Sequence, residues 1–262
     1  MRTLLQAVSV VLLTLAMACA SGMPDAEEFG EVPSAEDLYA EGLAKLEKGG
    51  IHFWFIDTRD HQGAIDTFQD IIDNYPYSDY ATLAELRIAD AYFEQELWEE
   101  ALSYYRDFSE LHPDNEKVPY AILRTALAYY HQSRPANRDQ TATRQALTQL
   151  ELLRNNYPHA TESDEAEALW RALRTRLGTS VMQIGNFYME RSEYRSAADR
   201  FRSVLNEYPG LGLDAEALFN LALCYREMNL DNEASRIFQV ILDNYQGSEV
   251  AAAAQDFVPS SN

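Results

Sequence analysis

AIDTFQDIIDNYP (64–76), ALSYYRDFSELHP (101–113), ALTQLELLRNNYP (146–158), AADRFRSVLNEYP (197–209) and ASRIFQVILDNYQ (234–246) align with one another without a gap. Each opens on Ala and carries a large apolar residue four places on: Phe68, Tyr105, Leu150, Phe201 and Phe238. A second large apolar residue follows at the seventh place. Spacing of i, i+4, i+7 puts these side chains on one face of an α-helix. The opening Ala lets a neighbouring helix approach, and the bulky residue one turn later fills the space above it. Pro76, Pro113, Pro158 and Pro209 close four of the five segments, because proline removes helical geometry from the residue before it.

A second helical pattern precedes each segment. Ala89 and Tyr92 stand twelve and nine residues before Ala101; Gly185 and Tyr188 hold the same offsets before Ala197, and Ala222 and Tyr225 before Ala234. This resembles the tetratricopeptide repeat, a helix–turn–helix unit of about 34 residues. Two units are stretched: Gly42 to Ala64 by ten residues, around Gly49-Gly50 and IHFWFIDTRDH, and Ala126 to Ala146 by eight, around HQSRPANRDQT. A single hairpin cannot cover its own apolar face, so five must stack. The expected fold is all-α, a solenoid of five helix pairs. A long helix leads into the fourth pair, with Ser163 or Asp164 as its N-cap, and carries the stripe Leu169, Leu173, Leu177, Val181, Ile184 and Tyr188. Its Gly178 costs about 1 kcal/mol in a helix interior and is expected to mark a bend.

Of the 262 residues, 47% are apolar and 24% charged, which excludes wholesale disorder. Lys and Arg number 21 against 42 Asp and Glu, a formal net charge of −21. Phosphate binding needs basic groups, so the balance argues against nucleic acid as a partner. Charge also disfavours docking on an anionic lipid surface.

Residues 1–18, MRTLLQAVSVVLLTLAMA, have a basic start and an apolar stretch too short for a bilayer-spanning helix, as in a signal peptide. Ala16-Met17-Ala18-Cys19 resembles the lipobox of bacterial lipoproteins, with Cys19 as the lipidated mature N-terminus; an ordinary secretory cleavage after Ala18 is the alternative. Residues 19–34 then form a short acidic tether, expected to hold the chain to a membrane by acyl chains alone. The body divides into units one to three (35–160), the long helix with units four and five (161–250), and a tail (251–262).

Lipobox, acidic tether, five units and a long helix after the third together resemble the BamD-type family of outer-membrane β-barrel assembly lipoproteins. Tyr39-Ala40, Asn74-Tyr75-Pro76, Arg138-Asp139-Gln140 opening the sixth helix, Asn156-Tyr157-Pro158, Tyr188-Met189-Glu190-Arg191 and Tyr225-Arg226-x-Met228 carry the resemblance. The Gly49–Asp60 insertion departs from it. The resemblance implies a protein anchored in the outer membrane and facing the periplasm. Its implied partners are a BamA-like POTRA and barrel protein on the C-terminal units, other assembly lipoproteins, and unfolded outer-membrane proteins, whose aromatic-ending C-terminal segments meet the N-terminal units. The same repeats would also suit another periplasmic adaptor lipoprotein, in peptidoglycan remodelling or envelope organisation.

Counted from the small residues of the first helices, Tyr39, Leu43, Leu46, Leu86, Phe93, Tyr120, Leu123, Leu127 and Tyr130 face the concave surface. That apolar, aromatic groove suits an aromatic-rich peptide. Alternatively, some of these rings merely pack between helices. Arg87 and Arg124, one residue beyond groove positions, are placed to receive a terminal carboxylate. Between residues 24 and 110 there are 5 Lys and Arg against 22 acids, but between 160 and 210 there are 7 Arg against 8 acids. The second region therefore reads as a partner interface. Arg200 falls where the resembled family places its partner-binding Arg, and Arg171, Arg174 and Arg176 cluster on the long helix, where a solvated face is the plainer reading.

No nucleophile elbow, dinucleotide loop, phosphate loop or zinc-protease motif is present. His52, His61, His112, His131 and His159 lack metal spacing, and Cys224 reads as a small buried hydrophobe. The sequence is expected to need no catalytic residue, metal or cofactor.

Overall fold

The computed structural model describes residues 32–47 and 59–258. The signal segment, Cys19, most of the tether and nearly all of the 49–60 insertion lie outside the described residues. Eleven helices make up the described residues: α1 (Ala35–Glu47), α2 (His61–Asn74), α3 (Asp79–Glu94), α4 (Trp98–Leu111), α5 (Val118–Gln132), α6 (Thr141–Asn156), α7 (Ser163–Glu190), α8 (Tyr194–Glu207), α9 (Asp214–Glu227), α10 (Asp231–Asn244) and α11 (Glu249–Gln255). Each packs chiefly on its sequence neighbours, as a stack of hairpins must. α1/α2, α3/α4, α5/α6, α7/α8 and α9/α10 are the five pairs.

The alignment that defines the repeat is the packing plan. Ala64, Ala101, Ala146, Ala197 and Ala234 are all buried, and so are Phe68, Tyr105, Leu150, Phe201 and Phe238 one turn later. Where the facing position of the first helix is Gly, the aromatic ring sits directly on its backbone. A Cβ on Gly42 would lie 2.5 Å from the Phe68 ring, and one on Gly185 2.6 Å from that of Phe201. Burial of this alternating small-and-large register is the main stabilising contribution, at about 25 cal/mol per Å² of apolar surface.

Both kinds of turn repeat as well. Tyr75, His112, Tyr157 and Tyr208 end the second helices with φ between −132° and −124°, each immediately before a proline. Tyr245 ends α10 in the same way without one, and Gly247 turns the chain at φ +79°. Between first and second helices, Glu96, Ser192 and Asn229 adopt φ of 58–60°. Each stands five residues before its unit's Ala. The following amides of Leu97, Glu193 and Leu230 donate to the carbonyls of Tyr92, Tyr188 and Tyr225 at 2.9–3.0 Å, closing the helix ends.

Four local expectations change. The sixth helix opens at Thr141, three residues later than Arg138. Gln140 stays in the connection because its buried Nε2 donates to the carbonyls of Pro135 (2.8 Å) and Arg138 (3.0 Å), knotting the longer loop. The residue capping α7 is Glu162, and the Ser163 hydroxyl instead donates to the Tyr157 carbonyl at 3.1 Å. Gly178 marks a close approach inside a continuous 28-residue helix: a Cβ there would lie 2.6 Å from Leu213 Cδ1 and 3.2 Å from Tyr208 Cβ. Ile184, placed on the apolar stripe, is exposed. Past the fifth pair the chain continues into α11, whose Ala251 and Ala254 are buried. Phe257 then stacks on Phe238 with ring centroids 4.8 Å apart.

Candidate functional site: the groove of the first three units

Helices α1, α3 and α5 are the first helices of the first three units, and a single carboxylate organises the surface between them. Asp90, on α3, is buried. Its Oδ1 accepts hydrogen bonds from the hydroxyls of Tyr105 (2.6 Å, α4) and Tyr120 (2.7 Å, α5), and its Oδ2 from Arg87 Nη1 at 3.2 Å. Arg124 Nε lies 3.8 Å from Oδ1 and donates to the Tyr105 hydroxyl at 3.1 Å. Arg87 Nε in turn donates to the Tyr39 hydroxyl of α1 at 3.0 Å. One charge thus ties four helices across three units. A buried carboxylate demands such satisfaction, since an unpaired charge there is strongly unfavourable. Burial first, and the adjacent Asp90 second, push the phenols of Tyr105 and Tyr120 well above the ordinary range, so both keep the protons they donate.

Of the residues assigned to a peptide groove, Tyr39, Arg87, Phe93, Tyr120 and Arg124 belong to this network or touch it. The Arg124 guanidinium lies 3.7 Å above the Phe93 ring, and Phe93 meets Trp98 and His131 edge-on. Leu86 is buried at the groove floor, while Leu43 is half-buried against the first core. Tyr130 stands apart, under the guanidinium of Arg176. The two arginines expected to await a carboxylate differ. Arg124 is enclosed between Phe93 and the Tyr105 hydroxyl, whereas Arg87 keeps 43% of its side chain exposed. Leu83, Leu86, Arg87, Asp90, Lys117 and Tyr120 line a pocket of about 170 Å³.

Asp90 and Lys117 were not picked out by the sequence reading. Asp90 holds the register that Leu43 and Leu127 hold in the first and third units, one residue after the small position. A carboxylate at a position that is leucine in three of the other four units (Leu43, Leu127, Leu223) and Asn186 in the fourth is the signal that marks it.

The arginines of the second region split in two. Arg174 reaches the Glu207 carbonyl at the end of α8 and lies over the Trp170 ring. Arg176 bonds the Ser133 hydroxyl after α5. Both are spent on their own chain, fastening α7 to its neighbours. Arg171 pairs with Glu167 at 3.1 Å on the solvent side, and Arg200 is exposed. Among the described residues no group of three or more His, Cys, Asp or Glu converges as a metal site, and no helix is long and apolar enough to cross a membrane.

A family described as YfiO, outer membrane lipoprotein, matches residues 33–255. Outer membrane protein assembly factor BamD of Caulobacter vibrioides is 29% identical over 212 residues, covering 81% of this chain and 66% of its own length. The protein of the same description from Rickettsia prowazekii is 28% identical over 212 residues, covering 81% and 80%. That of Neisseria gonorrhoeae is 24% identical over 225 residues, covering 82% and 80%. Among solved structures, the TPR2AB domain of yeast Sti1 in complex with an Hsp90 peptide is similar at TM-score 0.43 and 16% identity, covering 85% of this chain and 83% of that one.

Proposed function

The chain belongs to the YfiO family of outer-membrane lipoproteins, and from that premise we propose that it is an assembly factor for outer-membrane proteins. In this reading it is a scaffold that alters no covalent bond, held at the outer membrane by a lipid on Cys19 and facing the periplasm. The first three units bind the aromatic-ending C-terminal segments of unfolded barrel proteins. The solvent-facing arginines of the last two units, Arg200 above all, bind the POTRA region of a BamA-like barrel protein beside other assembly lipoproteins.

The observation that carries the substrate assignment is the pocket between α3 and α5. Its walls, Leu83 and Leu86, are apolar, and its polar edge offers Arg87 and Lys117. Tyr105 and Tyr120 already donate to Asp90, so the donors left for a ligand are cationic. An apolar side chain beside a carboxylate, as at a peptide C-terminus, matches both halves of that lining.

A peptide ending in Phe and bearing a photo-reactive aromatic residue should crosslink within residues 39–130, and amidating its C-terminus should weaken capture. Crosslinks confined to residues 163–246 refute the assignment. On the partner side, Arg200→Glu should reduce recovery of the barrel protein from solubilised outer membranes without changing helicity; full recovery removes Arg200 from the interface.

A further inference from the structure

Among the described residues, the most exposed large apolar side chains are Tyr77, which is fully exposed, Val32 at 81% and Leu111 at 69%. Helix direction alternates along the stack, so every second helix ends on the same edge. Tyr77 lies in the α2–α3 connection and Leu111 is the last residue of α4; both are on that edge. Val32 joins them, because the Tyr75 hydroxyl at the end of α2 donates to the Pro33 carbonyl at 2.6 Å. The N-terminal segment therefore leaves the fold beside Tyr77. On the opposite edge, Leu97 and Leu230 are only about 40% exposed. Further along the first edge the places equivalent to Tyr77 hold His159, Gly210 and Gly247, and those equivalent to Leu111 hold Asn156, Glu207 and Asn244. The apolar patch is thus confined to the first two units, next to the exit of the tether.

We infer that this edge docks on the interfacial zone of the lipid bilayer, with Tyr77, Leu111 and Val32 as the inserting side chains. The inference rests on the lipid-anchor reading of Cys19. Three side chains are too few to hold a protein on a membrane from solution. A chain already tethered is in a different regime. Twelve residues separate Cys19 from Val32, a reach of at most about 45 Å, so insertion becomes an intramolecular step at roughly millimolar effective concentration. Tyrosine prefers the headgroup level, where its ring is buried and its hydroxyl stays hydrated. Charge selects the lipid. Within six residues of Tyr77 or Leu111 stand six acids, Asp73, Asp79, Asp107, Glu110, Asp114 and Glu116, against Arg106 and Lys117, so the edge suits zwitterionic headgroups and is repelled by anionic ones.

Cys224 is buried, so Tyr77→Cys, Leu111→Cys, Leu97→Cys and Leu230→Cys each give one reactive thiol for an environment-sensitive fluorophore. The mature chain is attached to phosphatidylcholine vesicles in two ways: through natively lipidated Cys19, and as Cys19→Ser through an N-terminal histidine tag on a nickel-chelating lipid. Probes at 77 and 111 should be quenched at least twofold by brominated phosphatidylcholine in both attachments. Those at 97 and 230 should keep water-like emission, and adding phosphatidylglycerol should reduce the quench. Equal quenching at all four positions, or none at 77 and 111 in the chelated chain, overturns the docking surface. Protection at 77 and 111 that needs an added outer-membrane protein overturns it too, by assigning a protein occupant. If edge-selective quenching appears in the chelated form while the native chain does not float with vesicles, the docking surface stands and the lipid anchor falls.

Discussion

Replacing Asp90 with Ala removes the acceptor of two tyrosine hydroxyls and the counter-charge of Arg87. The Tyr105 hydroxyl, at 2.6 Å from Asp90 and inside the core, still accepts from Arg124 Nε at 3.1 Å but loses the partner for its own proton. The buried Tyr105 proton left unmet costs about 1–3 kcal/mol, and the half-buried Tyr120 hydroxyl, which can turn to water, loses a charge-assisted bond at the low end of about 1.5–3 kcal/mol. Arg87, with 43% of its side chain exposed, regains water and adds little. The expected loss is therefore about 3 kcal/mol, in the range seen when one member of a buried pair is deleted. For a chain of this size that corresponds to a melting-temperature drop of roughly 6–12 °C.

Asp90→Asn keeps an acceptor for the tyrosines but turns an amide NH2 toward the half-exposed Arg87, which loses its acceptor and its counter-charge, so it should fall by about 1 kcal/mol. The triple variant Asp90→Leu, Tyr105→Phe, Tyr120→Phe should recover at least half of the alanine loss. It gives the second unit the leucine register of Leu43 and Leu127 and leaves no orphaned hydroxyl. Calorimetry on these three variants reads the effect directly, and Tyr105→Phe in the wild-type and Asp90→Ala backgrounds completes a double-mutant cycle. A drop under 2 °C for Asp90→Ala, or equal costs of Tyr105→Phe in both backgrounds, refutes the claim that one carboxylate ties these helices together.

Three other substitutions or conditions test separate parts of the packing. Glu96→Gly relieves a left-handed conformation at φ 60° and should raise the melting temperature by the equivalent of about 1 kcal/mol; an unchanged or lower value in thermal denaturation counts against strain there. Gly185→Ala places a methyl 2.6 Å from the Phe201 ring and should destabilise by ~1–3 kcal/mol through overpacking, to be checked by urea denaturation. Burial pushes the Cys224 thiol up to about 11, so at pH 8 it should react with a thiol reagent on the order of a hundredfold more slowly than in urea. The fold holds the protonated thiol, so this contribution to stability is intact below pH ~9 and declines as pH climbs from there toward 11. Reaction at equal rates in buffer and urea would show that the thiol is not enclosed.

The repeat was legible in the sequence because it is written in residue size at fixed spacing. Ala64 and its four counterparts, with the large residue one turn later, meet no competing constraint and pack as their spacing requires. What stayed hidden depended on side chains of distant elements finding one another. Asp90 among leucines at the groove register is visible as an oddity, but only geometry shows that Tyr105 and Tyr120 reach it from two other helices. Arg174 and Arg176 read as free cations because nothing in the order of residues says that the end of α8 and the loop after α5 lie within their reach. Gly178 reads as a weak point of a helix until Tyr208 and Leu213 are found against it. Ile184 fails for the converse reason: its stripe is apolar, but among the described residues nothing packs closely enough on that stretch of α7 to bury it.

The long helix also decides how the groove and the solvent-facing arginines are related mechanically. In a regular stack each hairpin contacts only the next, and disturbance decays from unit to unit. α7 keeps to that rule, packing on α6 and α8, but its 28 residues reach into two cores. Leu173 and Leu177 are buried with α3, α5 and α6, while Met182 is buried with α8 and α9. Arg176 fastens its middle to Ser133 and Arg174 to the end of α8. Tyr208, at that end, packs back on the core that holds Leu173 and Leu177, and Gly178 lets it come close. Displacing α8 should therefore disturb α7, which shares a core with residues of α3 and α5. A partner gripping Arg200 on α8 would fix the orientation of the pocket between α3 and α5, which a chain of independent hairpins could not do.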